Sequence, residues 1–117
     1  MNDYEIGMLG EDAVECYLDK ISCNILERNF RTRRGEIDII FEESGYLVFG
    51  EVKTRRNARY GKPLESVDYK KRLKIINTAK EYIFKQGLRD VNIRFDVFEV
   101  FFYERKIRHI RNAFFSV

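Results

Sequence analysis

The chain has 117 residues, 44% of them hydrophobic and 35% charged, with a formal net charge of +3, one proline and seven glycines. That length suits a single domain with one sizeable core, and the composition excludes disorder, collagen and low-complexity fibres. No apolar run approaches the ~20 residues of a membrane-spanning helix, and residues 1–5 carry two acids and no base, unlike a secretory signal. The expectation is a soluble, cytoplasmic protein with no membrane partner.

Residues 4–21 place Ile6, Leu9, Ala13, Tyr17 and Ile21 near the helical period, with Asp3 as N-cap. Gly7 and Gly10 each cost roughly 1 kcal/mol against Ala inside a helix, which predicts close approach to another backbone. Glu11 shares a helical line with Met8, Val14 and Leu18, at the flank of that stripe. An acid there is either solvated or aimed at a site. Residues 24–31 precede a basic turn at 32–35. Residues 36–41 and 46–53 read as two strands around Glu42-Glu43-Ser44-Gly45, a hairpin signal. Residues 55–62 form a basic loop. Pro63 and Ser66 precede a helix reaching Gln86, with Leu73, Ile76, Ala79 and Ile83 inside and Gly87 at C′. Residues 93–103 and 106–111 read as strands. The order α-β-β-β-α-β-β predicts an α/β domain over 1–117, a mixed sheet flanked by helices.

Charge is unevenly spread. Residues 53–74 hold nine bases and two acids, whereas the first nineteen residues hold six acids and no base. Such asymmetry points to a polyanion partner on one side of the molecule, the bland reading being a solvated helix face. Cys16, Cys23 and His109 cannot supply four Cys/His ligands to zinc. The thiols read as small apolar or incidental groups, and His109 as a surface or strand residue.

The hairpin carries the chemistry. Pairing Phe41 with Tyr46 puts Glu36, Asp38, Ile40, Leu47, Phe49, Glu51 and Lys53 on one face. The other face, Ile37, Ile39, Phe41, Tyr46, Val48, Gly50 and Val52, is almost wholly apolar. Asp38 and Glu51 then stand diagonally across the pair with Lys53 nearby. Slipping the register by one residue would drive charges into the core, so the core itself holds the carboxylates together. Two adjacent carboxylates repel unless a cation lies between them. A divalent ion with oxygen ligands meets that need, and Lys53 beside it would stabilise charge on a phosphorane. Twelve Glu and nine Lys predict roughly one Glu-x-Lys by chance. The weight of residues 51–53 therefore comes from their strand and from Asp38, and a strand-end salt-bridge cluster is the rival reading.

These motifs carry a resemblance over nearly the whole chain. Gly-Glu-Ile-Asp-Ile-Ile at 35–40 and Glu-Val-Lys-Thr-Arg at 51–55 are supported by Gly10-Glu11 with Ala13, by Arg28-Asn29-Phe30-Arg31, and by Gly61 and Pro63. Lys71 with Ala79, Arg94-Phe95-Asp96 and Asn112-Ala113-Phe114 extend the match. The set resembles the YraN-like, or UPF0102, family of small bacterial proteins, regarded as relatives of Holliday-junction resolvases and restriction endonucleases. The resemblance implies a restriction endonuclease-like fold with a PD-(D/E)xK site. In it Asp38, Glu51 and Glu11 would hold Mg²⁺ or Mn²⁺, with the Val52 carbonyl as a further ligand and Lys53 as the catalytic lysine. The proline of the motif name is absent, with Ile37 before Asp38, and Gly50 stands where a bulkier residue is expected.

The expected function is metal-dependent hydrolysis of DNA phosphodiesters in branched or otherwise structured DNA. Arg55, Arg56, Arg59, Lys62 and Lys71 would contact phosphate. A non-catalytic nucleic-acid-binding or partner-binding module is the alternative, and an RNA-directed protein a third. Resolvase-like relatives act as dimers on two-fold symmetric junctions, so a homodimer is an open expectation, with the aromatic stretch 101–103 and Phe114-Phe115 as its apolar surface.

Overall fold

A computed structural model describes residues 1–57 and 67–115. The elements follow in the expected order: α1 (Asp3–Lys20), β1 (Asn24–Thr32), β2 (Gly35–Glu43), β3 (Tyr46–Arg55), α2 (Tyr69–Lys85), β4 (Asn92–Phe101) and β5 (Lys106–Phe114). The five strands form one mixed sheet in the order β1-β2-β3-β4-β5, with β3 and β4 parallel and all other pairs antiparallel.

Side chains alternate along the central strands and divide the core into two layers. Ile40, Leu47, Phe49, Phe95 and Val97 pack with Ile75, Ile76, Ala79 and Tyr82 of α2. Ile39, Phe41, Val48, Phe98 and Val100 pack on the opposite face with Val14 and Leu18 of α1. The α1 stripe is rotated from the one expected, since Ile6, Gly10, Val14 and Leu18 are buried while Leu9 and Ile21 are exposed. Its N-cap is Asn2 rather than Asp3, because Asn2 and Glu5 bond each other's backbone N–H in a capping box. Gly10 meets a side chain, that of Thr54, rather than a backbone, and Gly7 has nothing within 4 Å of where a Cβ would stand.

The hairpin closes on two residues instead of four. Ser44 and Gly45 both have positive φ, 50° and 85°, as a type I′ turn requires. Glu43 therefore pairs with Tyr46 and Phe41 with Val48, a shift of two residues from the expected register that leaves every face assignment from 39 to 50 intact. Ile37 is the exception: it is buried in the α2 layer, whereas Ile39 is in the α1 layer. The alternation breaks at Asp38, across from Asn29, whose φ of 53° is left-handed. Gly50 has a packing cause, since a Cβ there would lie 2.9 Å from both Ile39 Cγ2 and Phe98 Cε2.

A second polar network joins α1 to the sheet. The His109 side chain is buried, stacked on Phe98 at 4.3 Å between ring centroids. Its Nε2 lies 2.7 Å from Asp96 Oδ2 and its Nδ1 2.9 Å from the Tyr17 hydroxyl. Asp96 also accepts from Arg94 and from the Asn112 N–H. Those three partners outweigh burial and hold its carboxyl below the usual range. No helix among the described residues is long and apolar enough to cross a membrane.

Candidate functional site

The β2–β3 ladder ends at Ile39 and Gly50, and the strands part there. The next residue of β2 is Asp38, and the next of β3 is Glu51. In place of a backbone carbonyl from β2, the Val52 N–H donates to Asp38 Oδ2 at 2.8 Å. A strand residue's N–H and C=O point to the same side, so the Val52 carbonyl also faces the gap. Glu51 is buried and meets Lys71 Nζ of α2 at 2.5 Å. Lys53 follows on the same face of β3, half-buried, and makes no ion pair with a described residue.

Burial first, and then the charge of Glu51, push the Asp38 carboxyl up to about 7, against the Val52 N–H, which lowers it. Glu11 and Glu36 add smaller repulsions. Burial opposes the charge on Lys71, but the bond to Glu51 prevails and raises its ammonium. Among the described residues Glu51 is paired with Lys71, whereas Asp38 has the Val52 N–H as its partner.

Glu11 lies on the same helical line as Val14 and Leu18, which are the buried ones, and so faces the sheet. The Gly10–Thr54 contact brings this part of α1 down on β3. Arg28 of β1 bonds Asp12 at 2.8 Å, Glu15 at 3.0 Å and Glu11 at 3.4 Å. With its amide nitrogen turned to the carboxylates, Asn29 donates to Glu11 at 3.1 Å and to Glu36 at 3.2 Å. Glu36 also meets Arg31 at 3.1 Å. Arg28 and Asn29 had no assigned role from sequence. Asparagine's tolerance of positive φ in a strand next to the acidic run was the available signal.

The predicted phosphate-binding arginines are engaged within the protein. Arg55 Nε is 3.4 Å from the buried Glu99, and Arg56 is 2.7 Å from Asp3. Arg59 and Lys62 lie outside the described residues. Glu99, in register with Lys53 across β3–β4, is a buried acid on this face that sequence reading passed over, since it sits within a run of apolar residues.

No three His, Cys, Asp or Glu side chains among the described residues are gathered to hold a metal ion. Two carboxylates and a backbone carbonyl still fit Mg²⁺, which keeps several waters and takes one or two carboxylates. The unbalanced charge at Asp38 is what such an ion would relieve. Glu11, tied by Arg28 and Asn29, lies close enough for its charge to act on Asp38.

Fold and site together define a three-layer α/β protein with an acid pair and a lysine where two central strands diverge. The family model described as "Uncharacterised protein family UPF0102" matches residues 10–100. A UPF0102 protein of Clostridioides difficile (strain 630) is 48% identical over 114 residues, which cover 97% of this chain and all of the relative. Others from Clostridium kluyveri and Persephonella marina are 50% identical over 84% of this chain and 80% of the relative, and 45% identical over 92% and 91%. The chain belongs to the UPF0102 family.

Proposed function

We propose that this protein is a divalent-metal-dependent nuclease that hydrolyses DNA phosphodiester bonds, with structured or branched DNA as substrate. The carrying observation is the bond from the Val52 N–H to Asp38 at 2.8 Å, which holds this carboxylate against the Glu51-Val52-Lys53 segment. Asp38, Glu51 and the Val52 carbonyl would hold the ion. When bound, the ion supplies Lewis-acid activation of water and neutralises phosphate charge.

The remaining work belongs to the chain. Lys53 offers an ammonium for the charge that develops on the phosphoryl oxygens, and such preorganised donors act most strongly in a partly desolvated site. Lys71 balances the charge of Glu51. Asn29 and Arg28 hold Glu11 and Glu36 in place around the acid pair.

The test is cleavage of linear, nicked, flap and four-way DNA with Mg²⁺ or Mn²⁺. Lys53→Ala should lower the rate by roughly 10²–10³-fold and leave affinity within a few-fold. Asp38→Asn should abolish cleavage. The Lys71–Glu51 ion pair favours a second reading, in which an internal cation takes the metal's place and the fold only binds nucleic acid. Absence of divalent-dependent cleavage on every substrate, with both variants binding as wild type, would select it.

A further inference from the structure

A second basic surface lies away from the segment that follows β3. Arg55 and Arg56 are engaged by Glu99 and Asp3, whereas the turn between β1 and β2 projects Arg33 and Arg34 into solvent. That turn lies along α2, with Gly35 so close to Lys74 and Thr78 that a Cβ would meet the threonine hydroxyl at 3.0 Å. Between the turn and the last turns of α2 run two shallow depressions of about 480 and 470 Å³. They share Arg34, Glu81 and Lys85. Glu81 is the acid between them, spanned by Arg34 at 3.3 Å and Lys85 at 3.1 Å. Phe84 stands at the rim, 84% exposed, beside Lys80.

We infer that this groove binds single-stranded nucleic acid, with Arg33, Arg34, Lys80 and Lys85 along the backbone and Phe84 stacking on a base. Bases flanking an exposed ring are the elements of a single-strand platform, since a buried duplex base pair offers no face to a ring. α2 joins the groove to the acid pair: it runs from Lys71 at Glu51 to Lys85 at the groove, about 21 Å at 1.5 Å per residue. A strand leaving the cleavage site along α2 would reach Phe84 within several nucleotides. This deepens the nuclease reading by naming a substrate with a single-stranded arm, and its test needs no chemistry.

Binding of a fluorescent dT20 oligonucleotide is measured in EDTA over a salt series. Arg33→Ala with Arg34→Ala should lower the salt slope by up to about 1.4, at roughly 0.7 per phosphate for single strands. Phe84→Ala should weaken binding roughly 5- to 150-fold with the slope unchanged, and Phe84→Tyr should restore it while Phe84→Leu does not. Glu81→Gln should tighten binding. A matched 20-base-pair duplex should lose little with Phe84→Ala. The inference is overturned if dT20 does not bind, if the Arg33/Arg34 and Phe84 variants bind it as wild type does, or if Phe84→Leu restores binding as well as Phe84→Tyr. A protein that never cleaves but shows these losses removes the nuclease reading and keeps the groove.

Discussion

Gly10 of α1 lies so close to Thr54 of β3 that a methyl group in its place would fall 1.9 Å from the threonine hydroxyl oxygen. The glycine is the condition for α1 to settle on the sheet, and with it for Glu11 to reach the edge of the acid pair. Gly10→Ala should cost about 1–3 kcal/mol by overpacking. Adding Thr54→Ala should recover only part of that, because Thr54 Cβ itself would stand at 2.9 Å. Gly7→Ala, in open space, should stabilise by up to about 1 kcal/mol. Urea denaturation of the three variants checks this, and equal effects at Gly7 and Gly10 would contradict the contact.

Thermal melting with and without Mn²⁺ at pH 8 probes the acid pair. The Asp38 carboxyl, raised from 3.8 to about 7, costs nothing in stability below pH 4 and opposes folding increasingly as pH rises through 7. Asp38→Asn should therefore raise the melting temperature at pH 8 without metal and have little such benefit at pH 4. Mn²⁺ should stabilise wild type at pH 8 and leave Asp38→Asn unmoved. A metal-induced rise that survives in the variant would put the ion elsewhere.

Glu43 responds to pH in the opposite sense. Arg111 chiefly, and Arg94 after burial is set against them, hold its carboxyl at about 2. Its contribution is complete above the unfolded value near 4.5 and is lost as pH falls through 2. Glu43→Gln should cost about 1–3 kcal/mol at pH 6 and almost nothing by pH 2. The measurement is the difference in urea unfolding free energy across that range, and a pH-independent difference would show that packing rather than charge is responsible.

The Tyr17–His109–Asp96 chain separates a central group from a terminal one. Asp96→Ala leaves Arg94 and His109 without their buried partner and should cost about 3–5 kcal/mol. Tyr17→Phe removes one bond and should cost about 0.5–1.5 kcal/mol. Comparable losses in the two variants would deny Asp96 its central place.

The layout of elements was legible because periodicity and turn residues report local structure, and the faces of residues 39–50 because a register error of two residues preserves them. What escaped depended on contacts far apart in the chain. The helical stripe of α1 was misjudged by about one residue, since Leu9 and Val14 are equally apolar and only the sheet decides which is buried. The switch of faces at Asp38 follows from the left-handed Asn29 on a neighbouring strand, and periodicity within β2 is blind to it. Lys71 was read as near the site, yet its partner Glu51 is twenty positions away. His109, read as a surface or strand residue, is on a strand with its side chain buried, because Asp96 and Tyr17 satisfy both ring nitrogens.

The Val52 amide has a further consequence for experiment. Its proton is bound by a side chain rather than by a neighbouring strand, in the middle of a five-stranded sheet. A single backbone resonance thus becomes a built-in spectator of the Asp38 carboxyl. Protonation of that carboxyl, its capture by an ion, or its removal by substitution would each shift the same peak, while the amides of Val48 and Phe49, paired with Phe41 and Ile40, stay where they are.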